Sequence, residues 1–244
     1  RGGIETHLVD TTIKLKQEDI RISVMLLFDH GPLLEKLIFE EIDVIYPKKP
    51  RSGKIRIIDL VFFGVATHLY RCYLFLKSNR PDVVHTFLPS DTIVGGLLAK
   101  CAGIQHIVAS RVSRNFYQRE RPIQSLFEKM ILKRISLILG NSTAVVEDLL
   151  HESIPKERVK LVYTGIDIRK FMALDRHGAR KNLRINDSSL LLVNVANLIP
   201  YKGHADLLCA LNTIQSKLPE EWGLLIIGRD DGIGEQLSRL VQEY

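Results

Sequence analysis

Apolar runs of strand length alternate with helix-spaced apolar residues from one end of this sequence to the other. That alternation leaves few folds open. A helix between two strands carries the chain back across the sheet, so the strands become parallel and both faces of the sheet are covered. The predicted strands are 20–28, 42–46, 82–86, 106–109, 136–139, 160–163, 190–195 and 222–227. Helical spacing marks 4–15, 90–102, 122–132 and 143–151, with Arg121-Pro122 as a helix start and Gly103 as a helix stop. Further helices begin at His204 or Ala205 and run around Leu237, Leu240 and Val241. The regular pattern lapses in the charged stretch 165–189 and resumes at Leu190. The expected organisation is α/β with a first lobe over 1–170, a connection over 171–189, and a second lobe beginning at 190 and continuing to 244.

The most apolar segment, 55–76, is interrupted by Arg56, Asp59, His68 and Arg71. Those charges are costly in lipid, so the segment reads as a partly buried helix and not a membrane span. Cys72, Cys101 and Cys209 lie far apart and lack metal-site spacing, which points to free thiols in a reducing compartment. The net charge of +6 is uneven, with residues 1–170 carrying about +7 and the remainder about −1. One basic cluster comprises Lys48, Lys49, Arg51, Lys54, Arg56, Arg71, Lys77 and Arg80, interleaved with Leu60, Val61, Phe62 and Phe63. A second comprises Arg111, Arg114, Arg119, Arg121, Lys129, Lys133 and Arg134. Either a solvated face or contact with an anionic membrane or acceptor accounts for them. Nucleic acid is not expected, because zinc-finger spacing, an aromatic RNA-binding signature and a basic tail are all missing from the sequence.

The stretch LLLVNVANLIPYKGHADLL runs from a strand buried on both faces, through Pro-Tyr-Lys-Gly-His, into a helix. The unpaired amides at such a helix start attract anions, and a lysine at the same point suits a phosphate.

Four short stretches, in order, resemble the retaining glycosyltransferases of family 4, whose GT-B fold has two Rossmann-like lobes. They are Gly2-Gly3-Ile4-Glu5-Thr6-His7, similar to GGxxxH; Pro81-Asp82-Val83-Val84-His85-Thr86; Asn141-Ser142 followed by Tyr163-Thr164-Gly165-Ile166-Asp167 and Phe171; and the segment from Asn194 to His204. The resemblance implies transfer of a sugar from a nucleotide-sugar donor to a glycan or lipid-linked acceptor, as in polysaccharide or glycolipid synthesis. It also implies that no cofactor or obligatory metal is needed, while the free thiols and the basic, partly apolar first lobe point to a cytoplasmic enzyme, peripheral on the inner face of a membrane. A sugar-nucleotide epimerase of the same fold and a noncatalytic membrane- or polyanion-binding module are the alternatives.

By the same resemblance, Gly2 and Gly3 let backbone approach the donor diphosphate from the first lobe, with an ordinary tight βα turn as the alternative. Lys202 supplies charge from the second lobe, with Gly203 permitting close approach. Where relatives have an arginine, this chain has Asn197 and Ile199, which can donate at most an amide hydrogen bond. Gly228 and Arg229, after the last strand, are further donor contacts or an ordinary turn. Gly228-Arg229-Asp230-Asp231-Gly232-Ile233-Gly234 does not fit the dinucleotide fingerprint, and its adjacent aspartates make no metal cage by themselves.

His7 is expected to contact acceptor or donor, or to make a structural hydrogen bond, while His85 reads as a satisfied core histidine. The family's loop histidine has no counterpart in Ser110-Arg111-Val112-Ser113-Arg114-Asn115, so no catalytic residue carries over. Arg111 and Arg114 there would bind acceptor or phosphate, or form an exposed basic loop. The first residue is Arg1 and Gly2-Gly3 already falls inside a motif, so a preceding strand is expected upstream and the rest of the second lobe downstream. The family's paired donor-binding glutamates would lie in that downstream part. Without them these residues alone are expected to show little or no transfer.

Overall fold

The computed structural model describes residues 3–27, 33–47, 57–115, 118, 121–172 and 174–244. Gly2, the basic residues Lys48, Lys49, Arg51, Lys54, Arg56 and Arg119, and the side chains of Leu60, Val61, Phe62 and Phe63 lie outside what it describes. The chain divides into two compact units, Arg1–Ile166 and Asp167–Tyr244.

The first unit opens with helix α1 (Gly3–Gln17) and a two-stranded parallel pair, β1 (Ser23–Met25) and β2 (Asp43–Ile45), joined through α2 (Leu34–Phe39). Val9, Val24, Leu37 and Ile42 form the small core of this part. Then follow α3 (Ile57–Asn79), β3 (Val83–Phe87), α4 (Pro89–Ala102), β4 (His106–Arg111), α5 (Pro122–Leu132), β5 (Leu137–Gly140), α6 (Thr143–His151) and β6 (Val159–Leu161). The last four strands pair in sequence order, all parallel. Their core is aliphatic, with Ile107, Ile138 and Leu149 fully enclosed between sheet and helices.

Each local element has a visible cause. Proline at the first position starts α4 and α5, and the left-handed Gly103 (φ 84°) closes α4. Ser142 caps α6 by accepting from the Val145 amide at 3.3 Å, while the Asn141 amide donates to the Val112 carbonyl at 3.1 Å. Helix α3 is partly buried, as its interrupted apolar run suggests. His68, Cys72 and Leu76 face inward at one-turn spacing, and Tyr70 and Leu74 face solvent. The His68 Nε2–H donates to the Leu26 carbonyl at 2.7 Å, and burial pushes the Cys72 thiol up to about 11. No helix among the described residues is long and apolar enough to cross a membrane.

The second unit holds α7 (Arg169–Met172), α8 (Arg176–Asn182), β7 (Leu190–Val195), α9 (His204–Ile214), β8 (Trp222–Ile227) and α10 (Gly234–Glu243). Strands β7 and β8 pair in parallel over their full length, from Leu190 beside Trp222 to Val195 beside Ile227. The stretch 171–189 belongs to this unit and carries helix α8. Arg180, 8% exposed, holds that helix by donating from Nη2 to the Asn186 and Ser189 carbonyls at 2.7 and 2.6 Å.

Candidate functional site

The ends of β7 and β8 are tied together beyond the regular sheet. The Leu198 amide donates to the Arg229 carbonyl at 2.9 Å, and the Asp231 amide returns a bond to the Leu198 carbonyl at 3.2 Å. Such close backbone approach requires Gly228. A Cβ there would stand 2.0 Å from the Ala196 carbonyl oxygen and 2.6 Å from its carbon.

Side chains continue the connection. Arg229 grips Asp231 in two-pronged fashion, at 2.7 and 3.1 Å, and the Asn197 amide donates to the same carboxylate at 3.1 Å. These contacts hold Asp231 below the ordinary carboxylate value, the Arg229 hydrogen bond contributing most. Asn197 and Arg229, both expected at the donor site, are therefore brought together by a residue weighed in the sequence only as a metal ligand.

From Asn197 the chain passes through a single 3-10 turn, Pro200–Lys202, to Gly203 in the left-handed region at φ 73°, which starts α9. Glycine adopts that conformation without the steric cost of a side chain. His204, the first residue of α9, is fully buried and donates from Nε2 to the Asn197 carbonyl at 3.0 Å. This bond anchors the head of the helix to the end of β7. The ring's Nδ1 has no hydrogen-bond partner among the described residues. Lys202 remains at the surface with its ammonium 5.3 Å from the centre of the exposed Tyr201 ring. A compact cation, a left-handed glycine and the open amides of an 11-residue helix thus follow one another along the loop.

Asp230 secures the neighbouring turn by accepting from the amides of Gly232, Ile233 and Gly234 at 2.8, 3.1 and 3.0 Å. Those bonds hold its carboxyl below the ordinary 3.8. A depressed folded value means that the stabilisation is complete above 3.8 and lost as pH falls through the lower folded value. Hydrogen exchange should accordingly show the three amides protected at neutral pH and exposed progressively in acid below 3.8. Asp230→Ala should remove both the protection and its pH dependence, whereas protection that persists in the variant would contradict the capping role.

The first-unit candidates separate. Gly3 heads α1, and a Cβ added there would meet no atom of a non-adjacent part of the described residues within 4 Å. His7 lies half-buried on α1, 3.5 Å from the Thr11 hydroxyl. His85 is not a core residue: it keeps an exposed edge, stacks on Phe87 with ring centres 4.3 Å apart and bonds the Ser110 hydroxyl at 2.8 Å. Desolvation by its surroundings, and secondarily nearby His7, push its pKa down to about 4. An imidazole and a hydroxyl therefore meet across β3 and β4, with His7 close enough to act on them electrostatically.

Arg111 requires correction. It ends β4 with its side chain 4% exposed, donating to Glu128 at 3.1 Å and Glu152 at 2.8 Å. Enclosure between two carboxylates supports a structural role and not acceptor binding. Arg114 makes a two-pronged bond to Asp148, at 3.2 and 3.1 Å, and leaves half of its side chain in solvent.

The sequence profile of Glycosyltransferase Family 4 matches residues 1–170. MJ1069 of Methanocaldococcus jannaschii, described as an uncharacterized glycosyltransferase, is 21% identical across the whole chain, which spans 64% of that protein. Among solved structures, Anabaena Alr3699/HepE in complex with UDP-glucose superposes with a TM-score of 0.77 at 17% identity, over 100% of this chain and 62% of that one. Sucrose-phosphate synthase from Thermosynechococcus elongatus gives 0.74 at 19% identity, again over 100% of this chain and 62% of its counterpart. The fold is α/β with Rossmann-like lobes of the GT-B kind.

Proposed function

Because the chain belongs to glycosyltransferase family 4, we propose that it serves a retaining transfer of sugar from a nucleotide-sugar donor to a glycan or lipid-linked acceptor, in the synthesis of a cell-surface polysaccharide or glycolipid. One observation carries the reading: Lys202 stands exposed at the head of α9, beside amides that need an acceptor. The leaving group in such a transfer is a nucleoside diphosphate, whose charge grows as the glycosidic bond breaks. A fixed ammonium and oriented amides aimed at that charge lower the barrier more than they stabilise the intact donor. That Alr3699/HepE has been solved with UDP-glucose supports a donor of this class. His7 and His85 are the acceptor-side candidates, with Arg114 as a further one. The reading carries with it a cytoplasmic location on the inner face of a membrane.

The test is transfer by the whole protein. Incubated with nucleotide sugars and lipid-linked acceptors, it should form a product with the donor's anomeric configuration. Lys202→Ala should slow formation by roughly a hundredfold. An inverted product, an epimerised donor without transfer, or an unaffected Lys202→Ala variant would overturn the proposal.

A further inference from the structure

Helix α5 anchors to the core through Leu132 and Ile131 near its end, yet much of its polarity is reversed for a surface helix. Its inward residues include Ser125 and Glu128, 7% and 3% exposed, while Ile123, Leu126, Phe127 and Met130 face solvent at 73%, 59%, 52% and 45%. Those four positions follow the i, i+3, i+4, i+7 spacing of one helical face. An ordinary surface helix buries that stripe and exposes its acid. Here the acid is turned inward to Arg111, and the apolar stripe is left in water. The stripe continues into an open groove of about 600 Å³ between α4 and α5, lined by Ile93, Val94, Ile123 and Phe127, with Arg121 on its edge.

Charge identifies what covers this face. Arg121 is exposed where the helix begins, and Lys133 and Arg134 are exposed where it ends. Arg158 lies beside them, donating to the Lys133 carbonyl at 2.9 Å. A second copy packed on the same face would bring basic end against basic end in either helix orientation, which is repulsive. An anionic bilayer meets both requirements, since its acyl boundary accepts the apolar stripe and its headgroups accept the flanking cations.

We propose that the outward face of α5 is a membrane-docking surface for anionic lipid, with Ile123, Leu126, Phe127 and Met130 entering the headgroup boundary and Arg121, Lys133 and Arg134 bound to phosphate. This deepens the reading of a membrane-borne acceptor. It places the contact on the second of the two basic clusters, the one that holds Arg121, Lys133 and Arg134, and lipid binding tests it independently of sugar transfer.

The experiment is co-sedimentation of the chain with phosphatidylcholine vesicles, with and without phosphatidylglycerol. The chain should pellet with the anionic vesicles, and salt should release it. Leu126→Glu with Phe127→Glu should reduce partitioning by roughly tenfold or more. Since both side chains are already exposed, circular dichroism and thermal melting should be unchanged. Lys133→Glu with Arg134→Glu should weaken binding to anionic vesicles while leaving any residual binding to neutral ones. Wild-type protein that stays in the supernatant, or apolar variants that pellet as well as wild type, would overturn the proposal. So would a homodimer in analytical ultracentrifugation that the same apolar substitutions dissociate.

Discussion

Arg111→Ala should destabilise the first unit by about 3–5 kcal/mol, because it leaves two buried carboxylates facing each other without their shared cation. The pair is enclosed: the side chains of Arg111, Glu128 and Glu152 are 4–5% exposed. Gln118 also donates to Glu152, at 2.9 Å, but a neutral amide cannot replace the guanidinium charge. Because Arg111 ends β4, Glu128 lies on α5 and Glu152 follows α6, the loss should loosen the attachment of both helices to the sheet. The expected fall in melting temperature is roughly 6–20 °C. Arg111→Lys should recover only part of it, since one ammonium lacks the fork that reaches both partners. An unchanged melt for Arg111→Ala would refute the structural role and return this residue to the acceptor candidates.

Gly228→Ala acts on the other unit. The added methyl would overlap the Ala196 peptide, and backbone atoms cannot rotate aside as a flexible side chain can. Forcing the two backbone segments apart should cost about 1–3 kcal/mol. It should open the Leu198–Arg229 and Asp231–Leu198 bonds first, because these lie beyond the regular ladder. The Leu198 and Asp231 amides should lose exchange protection, and donor binding should fall with them. Trp222 at the start of β8 is the chain's single tryptophan, so its fluorescence reports on this unit alone. Wild-type protection at Leu198 and Asp231 in the variant would show that the close approach is not required.

How far the sequence reveals this molecule depends on what holds each part together. Strands β7 and β8 and helices α5 and α6 match their predicted limits, because apolar periodicity, proline starts and a serine cap act locally. Among the described residues, strand β1 is shorter than its apolar run, its registered pairing with β2 covering Ser23–Met25. Helix α8 is invisible to the same reasoning. Its sequence RHGARKN has no apolar stripe, and what steadies it is a buried arginine reaching carbonyls six and nine residues away.

The site divides along the same line. The Lys202-Gly203-His204 order is legible because a turn and helix start are local features. The cluster of Asn197, Arg229 and Asp231 depends on two loops meeting across a strand pair, at a separation of more than thirty residues. Arg111 looks like part of an exposed basic loop because its two carboxylates come from 17 and 41 residues downstream. The outward apolar face of α5 is equally concealed. Its helical spacing is plain in the sequence, but the inward turn of Glu128 becomes evident only with Arg111 in place.

The most direct test of the account is a titration of isotopically labelled chain with nucleoside diphosphates, followed by amide NMR. The amides of Asn197 and of Lys202 to Ala205 should shift together and saturate. Lys202→Ala should weaken that binding by about 1.5–3 kcal/mol, tenfold to more than a hundredfold. If the diphosphate shifts none of these amides, or binds Lys202→Ala as tightly as wild type, the head of α9 is not the donor site.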